Sequence, residues 1–345
     1  MAGSKDLFLD IEGEAGCLRL SRDFYARVAS DPDLRTLFPG KSLRCATEEF
    51  AAFLVQFFDG DESRMQYRWW LSLRESHACF QISESQRSSW LSHMNATLDS
   101  SSISDELRVA LGSFFNVAST YIVNSNLEYP ANPELAELWQ RQLSLDRLIE
   151  AIVAGRDAEA IALASHHASR RSVTVGILAR MMETGREPLV DFALNSLERD
   201  ASLARARFNG RVLMHFAAGS GCLPVLLALL NMGEDPNVLD QGKHSPLYRA
   251  ANECGKEVGA QIVCELVRRG ACVDHAGGVT RSTPLHAAAR RGHQAIAMAL
   301  IDEGASMEVR DYKGFSPLDR ARNCRKLDMA VALESRMIAS NRPHP

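Results

Sequence analysis

No stretch of this sequence offers about 18 uninterrupted apolar residues, and its start, Met1-Ala-Gly-Ser-Lys-Asp-Leu, has neither the basic opening nor the apolar run of an export signal. A membrane span is therefore not expected, and a cytoplasmic location is. A basic excess is missing too: 39 Lys and Arg stand against 43 Asp and Glu, for a formal charge of -4. Nucleic acid is a poor partner for such a chain. Pairs such as Arg170-Arg171 and Arg290-Arg291 read as solvated helix ends. The eight cysteines, at 17, 45, 79, 222, 254, 264, 272 and 324, lack the close paired spacing of a zinc site. They read as reduced thiols that pack as small hydrophobes.

What is present divides the chain in two. Of 345 residues, 46% are hydrophobic and 24% charged, which is ordinary for soluble globular protein and enough for two or three domains. Leu18, Leu20, Phe24 and Val28 predict a helix over 18–29 that Asp31-Pro32 ends, because the residue before proline is pushed out of the α region. A short helix from Asp33 to Phe38 stops at Pro39-Gly40. Ser42 is placed to cap the next helix, whose Phe50, Phe53, Leu54, Phe57 and Phe58 form a wide apolar face before the loop Asp59-Gly60-Asp61. Residues 62–80 read as a helical or partly frayed segment ending at His77. Residues 83–98 carry Trp90, Leu91, Met94 and Leu98 on one stripe, and 104–124 carry Leu107, Leu111, Phe114, Phe115, Ala118, Ile122 and Val123 on another. The expected product is a compact all-α domain with more phenylalanine than a small core needs.

A single histidine in an apolar helix is most often a hydrogen-bonded core or surface residue. The surroundings of His77 change that reading. FYARVASDPDLRTLFPG at 24–40, FLVQFFDG at 53–60, LRESHACFQIS at 73–83 and SSWLSHM at 88–94 follow one another in order. With them, residues 15–126 resemble the truncated haemoglobins, and are most similar to the subgroup with a tryptophan in the distal pocket. The resemblance implies a two-over-two globin that binds haem, with His77 as the iron ligand. It carries Tyr25 and Trp90 to the distal hydrogen-bond donors, Phe38 to an aromatic that packs on the haem, and Ala46 to the small distal position. Phe50 and Phe53 fall on the cavity wall. The implied small partner is dioxygen or another diatomic ligand, whose partial negative charge a phenol and an indole N–H would stabilise in a low-dielectric pocket. Three positions depart from the family pattern. Its double glycine and proline loop is Asp59-Gly60-Asp61, its arginine before the proximal histidine is Ser76, and its following proline is Cys79. Arg74 or another base is expected to substitute as a propionate anchor, Cys79, two residues from His77, reads as an inert thiol before a redox one, and His93 is given no role.

Tyr129-Pro130-Ala131-Asn132-Pro133 interrupts helical periodicity, so the expected boundaries are a globin domain at 1–126, a linker at 127–139, an array at 140–340 and a tail at 341–345. VLMH at 212–215, SPLY at 245–248, TPLH at 283–286 and SPLD at 316–319 recur at steps of 33, 38 and 33 residues. With Gly270-Ala271 and Gly304-Ala305 closing units, the pattern resembles ankyrin repeats, and RSTPLHAAARRGHQAIAMALIDEGASMEVRD at 281–311 is close to the family consensus. Ser245, Thr283 and Ser316 are placed as N-caps, with Pro246, Pro284 and Pro317 at the first helical position, where a missing N–H costs nothing. The longer step implies an insertion near Glu253–Gly259. Residues 144–167 and 172–196 read as degenerate helix pairs turning near Gly155-Arg156 and Gly185-Arg186, for about six units. His215 and His286 occupy the position that ankyrin repeats use for structural hydrogen bonds. The array shows no glycine-rich phosphate loop and no His, Cys and carboxylate cluster at ligand spacing. Its resemblance implies a solenoid that binds a partner protein through turn tips and inner helices, including Lys243, His244, Arg281, Tyr312 and Lys313.

Two functions fit these halves. One is a haem domain that binds a diatomic ligand, for sensing, storage, nitric oxide oxidation or peroxidase-like chemistry, tethered to a partner by the array. The other is an ankyrin scaffold whose globin-like domain is structural and uses no haem. Distal donors at Tyr25 and Trp90 imply slow ligand release, which suits sensing or nitric oxide oxidation better than transport. No hydrolase or transferase site is visible, and the oligomeric state stays open.

Overall fold

Apolar spacing sets the helices of the first third. In the computed structural model, which describes residues 4–38, 42–58, 72–77, 80, 82–124 and 129–340, α1 spans Ser4–Asp10 and α2 spans Gly13–Val28. Pro39-Gly40, the loop Asp59–Asp61, Cys79 and the tail 341–345 lie outside the described residues. α2 starts earlier than its apolar pattern suggested: Cys17 is fully buried with Leu20, Phe24 and Val28, while Leu18 is only half-buried. α3 is the short turn Pro32–Arg35, capped by Asp31, whose Oδ1 accepts the Asp33 and Leu34 N–H groups at 2.9 and 3.0 Å. Phe38 lies just past it. Ser42 accepts the Arg44 N–H at 3.1 Å at the start of α4, Arg44–Phe57. Then come α5, Leu73–His77, and α6, Glu84–Asp99, closed at its start by a reciprocal Ser83–Gln86 capping box. α7 runs Asp105–Asn124. α2 packs on α4, α6 on α7, and α2 on α6, around a core that includes Phe24, Leu54, Phe58, Met94, Leu111 and Phe114.

That core does not stop at residue 126. Helix α8, Pro133–Val153, begins inside the segment expected to be a linker, and its Leu135, Leu138, Trp139 and Leu143 are buried in the same cluster as Phe24 and Phe114. Trp139 meets Phe114 at 5.8 Å and Tyr121 at 5.4 Å between ring centroids. Proline explains the difference. Asn132 Oδ1 accepts the Glu134 and Leu135 N–H groups, both at 3.0 Å, so Pro133 stands in the first turn of a capped helix, where proline starts rather than interrupts it. By compactness the chain divides into Met1–Leu163 and Ala164–Pro345. Helix α9, Asp157–Ser165, follows α8 after a turn at Gly155, whose φ is 75°.

The second unit is a stack of helix pairs. α10 (Arg171–Thr184) and α11 (Glu187–Arg199) precede a 3₁₀ turn at Ala201–Ala204, and α12 (Leu213–Ser220) pairs with α13 (Leu223–Asn231). α14 (Pro246–Glu253) and α15 (Gly259–Arg268) bracket the expected insertion, α16 (Pro284–Arg291) pairs with α17 (Gln294–Asp302), and α18 (Pro317–Asn323) with α19 (Leu327–Ser340). The inner helices α10, α12, α14, α16 and α18 pack in sequence, and so do the outer helices α11, α13, α15 and α17, so each pair buries an apolar face on its neighbours. Ser245, Thr283 and Ser316 accept the N–H of Tyr248, His286 and Asp319 at 3.2, 3.4 and 3.2 Å. Gly292, with φ of 82°, ends α16 in a left-handed turn that a side chain would strain. Among the described residues there is no β-strand, only the isolated bridges Phe208–Arg211 and Gly277–Ser282, and no helix is long and apolar enough to cross a membrane.

Truncating the fully buried Trp139 tests whether α8 belongs to the first unit. Trp139→Ala is expected to lower that unit's stability by about 3–5 kcal/mol. Urea unfolding followed by near-ultraviolet circular dichroism measures it, and a wild-type midpoint would separate α8 from the globin core.

Candidate functional site

Five of the residues singled out in the sequence share one property. Tyr25, Phe38, Phe50, Phe53 and Trp90 pack against the core yet stay only half-buried, whereas Phe24, Phe57, Phe58, Phe114 and Phe115 are sealed within it. They also touch one another. Tyr25 stands edge-on to Phe38 at 5.7 Å and to Phe50 at 6.3 Å, Phe50 stacks on Phe53 at 6.5 Å, and Trp90 meets Phe50 at 6.4 Å. Ala46 is half-buried on α4, one turn before Phe50 and on the same face. Phe80, given no role in the sequence, joins the set by lying 6.4 Å from both Phe38 and the imidazole of His77. Its place three residues after His77 was the available signal. Beside Tyr25 a groove of about 280 Å³ is lined by Arg22, Arg35, Leu43, Arg44 and Thr47. Half-covered aromatic surface in one place suits a flat, apolar ligand.

The polar tips fit such a ligand. Burial, with the Glu49 charge adding to it, pushes the Tyr25 phenol well above its ordinary range, so it stays protonated and able to donate. Among the described residues neither the Tyr25 hydroxyl nor the Trp90 indole N–H has a hydrogen-bond partner.

Histidine chemistry separates this site from the rest of the chain. In the array, His215 Nδ1 accepts the Val212 N–H at 3.3 Å and its Nε2 donates to the His244 carbonyl at 3.2 Å. His286 does the same with the Thr283 N–H at 3.3 Å and the Phe315 carbonyl at 3.0 Å. Both nitrogens of each ring are used, which is a structural role. His77 is held the other way round. Its Nδ1 lies 2.8 Å from the Leu73 carbonyl and 2.9 Å from Ser76 Oγ, and a carbonyl only accepts, so the proton is on Nδ1. The Ser76 hydroxyl in turn donates to Leu73 O at 2.7 Å. Burial holds His77 below its ordinary pKa, which keeps the ring neutral, and among the described residues Nε2 has no partner. A neutral imidazole anchored at one nitrogen by a backbone carbonyl, with a lone pair on the other, is the usual form of a histidine that ligates a metal.

Comparison with known proteins bears on the family of each part of the chain. Residues 6–123 match the model of the bacterial-like globin family, and residues 255–338 match that of ankyrin repeats in three copies. Group 2 truncated hemoglobin 3-1 of Lotus japonicus is 30% identical over 122 residues, covering 33% of this chain and 73% of that protein. The chain belongs to the truncated haemoglobins. A second relative, group 2 truncated hemoglobin YjbI of Bacillus subtilis (strain 168), is 30% identical over 112 residues, 32% of this chain and 84% of that one. The B-cell lymphoma 3 protein homolog of Mus musculus is 29% identical over 139 residues, 40% of this chain. The match spans only 30% of that relative's length.

Arg74 is exposed, with its guanidinium carbon 5.5 Å from the centroid of the Tyr121 ring. Of the array residues, His244 is stacked on Tyr248 at 4.2 Å, while Lys243, Arg281, Tyr312 and Lys313 are exposed.

The histidine contrast has a measurable consequence. Burial lowers the His215 pKa from 6.5 to about 4. Between those values the unfolded chain takes up a proton that the folded array refuses, so stability falls as pH falls, by about 1.4 kcal/mol per pH unit and about 3 kcal/mol across the window. Urea midpoints read by far-ultraviolet circular dichroism should fall through this range and should fall less steeply in His215→Gln; identical slopes would contradict the buried neutral ring.

Proposed function

We propose that the truncated haemoglobin domain binds haem and, through it, a small diatomic ligand, and that the ankyrin array binds a partner protein. The observation that carries this reading is the one-sided anchoring of His77 beside a group of half-covered aromatic side chains. His77 would hold the iron with Nε2, while Phe38, Phe50 and Phe53, with the small Ala46, would cover the macrocycle. Haem would supply an iron centre able to bind a diatomic ligand. Tyr25 and Trp90 would each offer one donor hydrogen to partial negative charge on the bound ligand. A hydrogen bond of this kind is worth more inside a protein than in solvent, which favours slow ligand release. The leucine carbonyl behind Nδ1 makes His77 a firmer electron donor and fixes its ring plane. Slow release fits sensing or oxidation of nitric oxide, in which the bound ligand persists, better than transport. A tether that binds protein gives such a domain a fixed place of action.

An absorption spectrum of the purified full chain supplied with haemin tests the reading. A Soret band that is lost or strongly altered in His77→Ala is expected; a chain that takes up no haem overturns it in favour of a scaffold with a structural globin. In the haem-loaded protein, Tyr25→Phe and Trp90→Phe should each speed dioxygen dissociation by roughly tenfold or more, the loss of one hydrogen bond in a desolvated site. Flash photolysis with stopped flow measures this, and unchanged rates would remove the distal donors from the account.

A further inference from the structure

The globin-family match ends at residue 123, yet the helix that carries His77 is held from beyond it. α5 has five residues, Leu73–His77, too few to be stable alone. At its start the Leu73 N–H donates to Asp146 Oδ1 at 2.7 Å, and the Glu75 N–H donates to Ser72 Oγ at 3.0 Å. Asp146 lies on α8 and is buried. Gln142 Nε2 donates to the same oxygen at 3.2 Å, and the Tyr121 and Ser72 side chains adjoin the carboxyl. A buried carboxyl is costly unless donors meet it, and Oδ1 takes two, one of them the main chain of the histidine helix, while the buried Oδ2 takes none among the described residues. Leu73 is therefore engaged on both sides. Its N–H is on Asp146, and its carbonyl takes the Nδ1 proton of His77 at 2.8 Å.

We infer that Asp146 is a positioning residue for His77, acting through Leu73, so that helix α8 completes the haem pocket from outside the globin segment. This rests on the haem reading above. If Leu73 shifts, the acceptor that sets the imidazole plane shifts with it. The sequence hid this because Asp146 is 73 residues from Leu73.

The test uses the full chain, with haemin as the probe. Amide exchange at Leu73 is read in the haem-free protein, and the iron–histidine stretching band and the rate of haem transfer to apomyoglobin in the loaded one. In Asp146→Ala, Leu73 exchange should rise by roughly tenfold or more, the iron–histidine band should shift or broaden, and haem loss should quicken severalfold. Asp146→Asn keeps a carbonyl acceptor and should stay near wild type in all three. A folded Asp146→Ala protein with the wild-type band and rate of haem loss overturns the proposal, because a merely structural aspartate would lower the unfolding midpoint without touching the band. Should Asp146→Ala not fold, the wild-type protein decides: an unprotected Leu73 amide also overturns it. A wild-type chain that forms no Soret band defeats the haem reading by itself, separately from Leu73 exchange, which still reports whether Asp146 holds α5.

Discussion

The hydrogen bond from His77 Nδ1 to the Leu73 carbonyl decides what the ring can do. A histidine offers two nitrogens, and fixing the proton on one of them leaves the other as a base. In the array the same residue type is turned to the opposite use, with Nδ1 accepting a backbone N–H and Nε2 donating across to the next repeat. The difference comes from what lies behind each ring. A carbonyl one helical turn back demands a donor, while a backbone N–H at a helix start demands an acceptor. The aromatic side chains near His77 matter because of that lone pair, and without it they would be an unusually rich but ordinary helical core.

Much of this was legible from local pattern. Phe50 and Phe53 fall on one face of α4 because of their spacing, and the capping residues Ser245, Thr283 and Ser316 act within three residues of themselves, so short stretches were enough to place them. Tyr25 and Trp90 are proposed as site residues from motif resemblance, and packing brings both onto Phe50. What was not legible depends on distance along the chain. Nothing near Trp139 says that it fills a gap beside Phe114, and a proline that reads as a break in isolation starts a helix once Asn132 caps it. Cys17 took a core position that periodicity gave to Leu18 because α2 begins a turn and more before its apolar stripe.

The array follows the same division. Its helices and turns were readable because each repeat restates its own signals, but the pairs that lock the turns were not. Asp240 and Asp311 are both buried, and each takes the guanidinium of an arginine nine residues later, Arg249 and Arg320. These acids face inward at turns whose exposed residues include Lys243 and Lys313. Lys243 and Arg281 adopt φ of 59° and 47°, at turns where neighbouring repeats have Gly210 and Gly314 at 71° and 76°. A side chain there costs stability that glycine would not.

The central claim is that His77 is neutral, protonated on Nδ1, and open at Nε2. Proton–nitrogen correlation spectra of the full chain labelled with ¹⁵N-histidine report this directly. The account predicts that at neutral pH His77 shows the Nδ1–H tautomer, that His215 and His286 show the opposite one, and that one equivalent of haemin perturbs the His77 ring signals while leaving those two unchanged. A His77 ring that is charged, or protonated on Nε2, or indifferent to haemin, would contradict it.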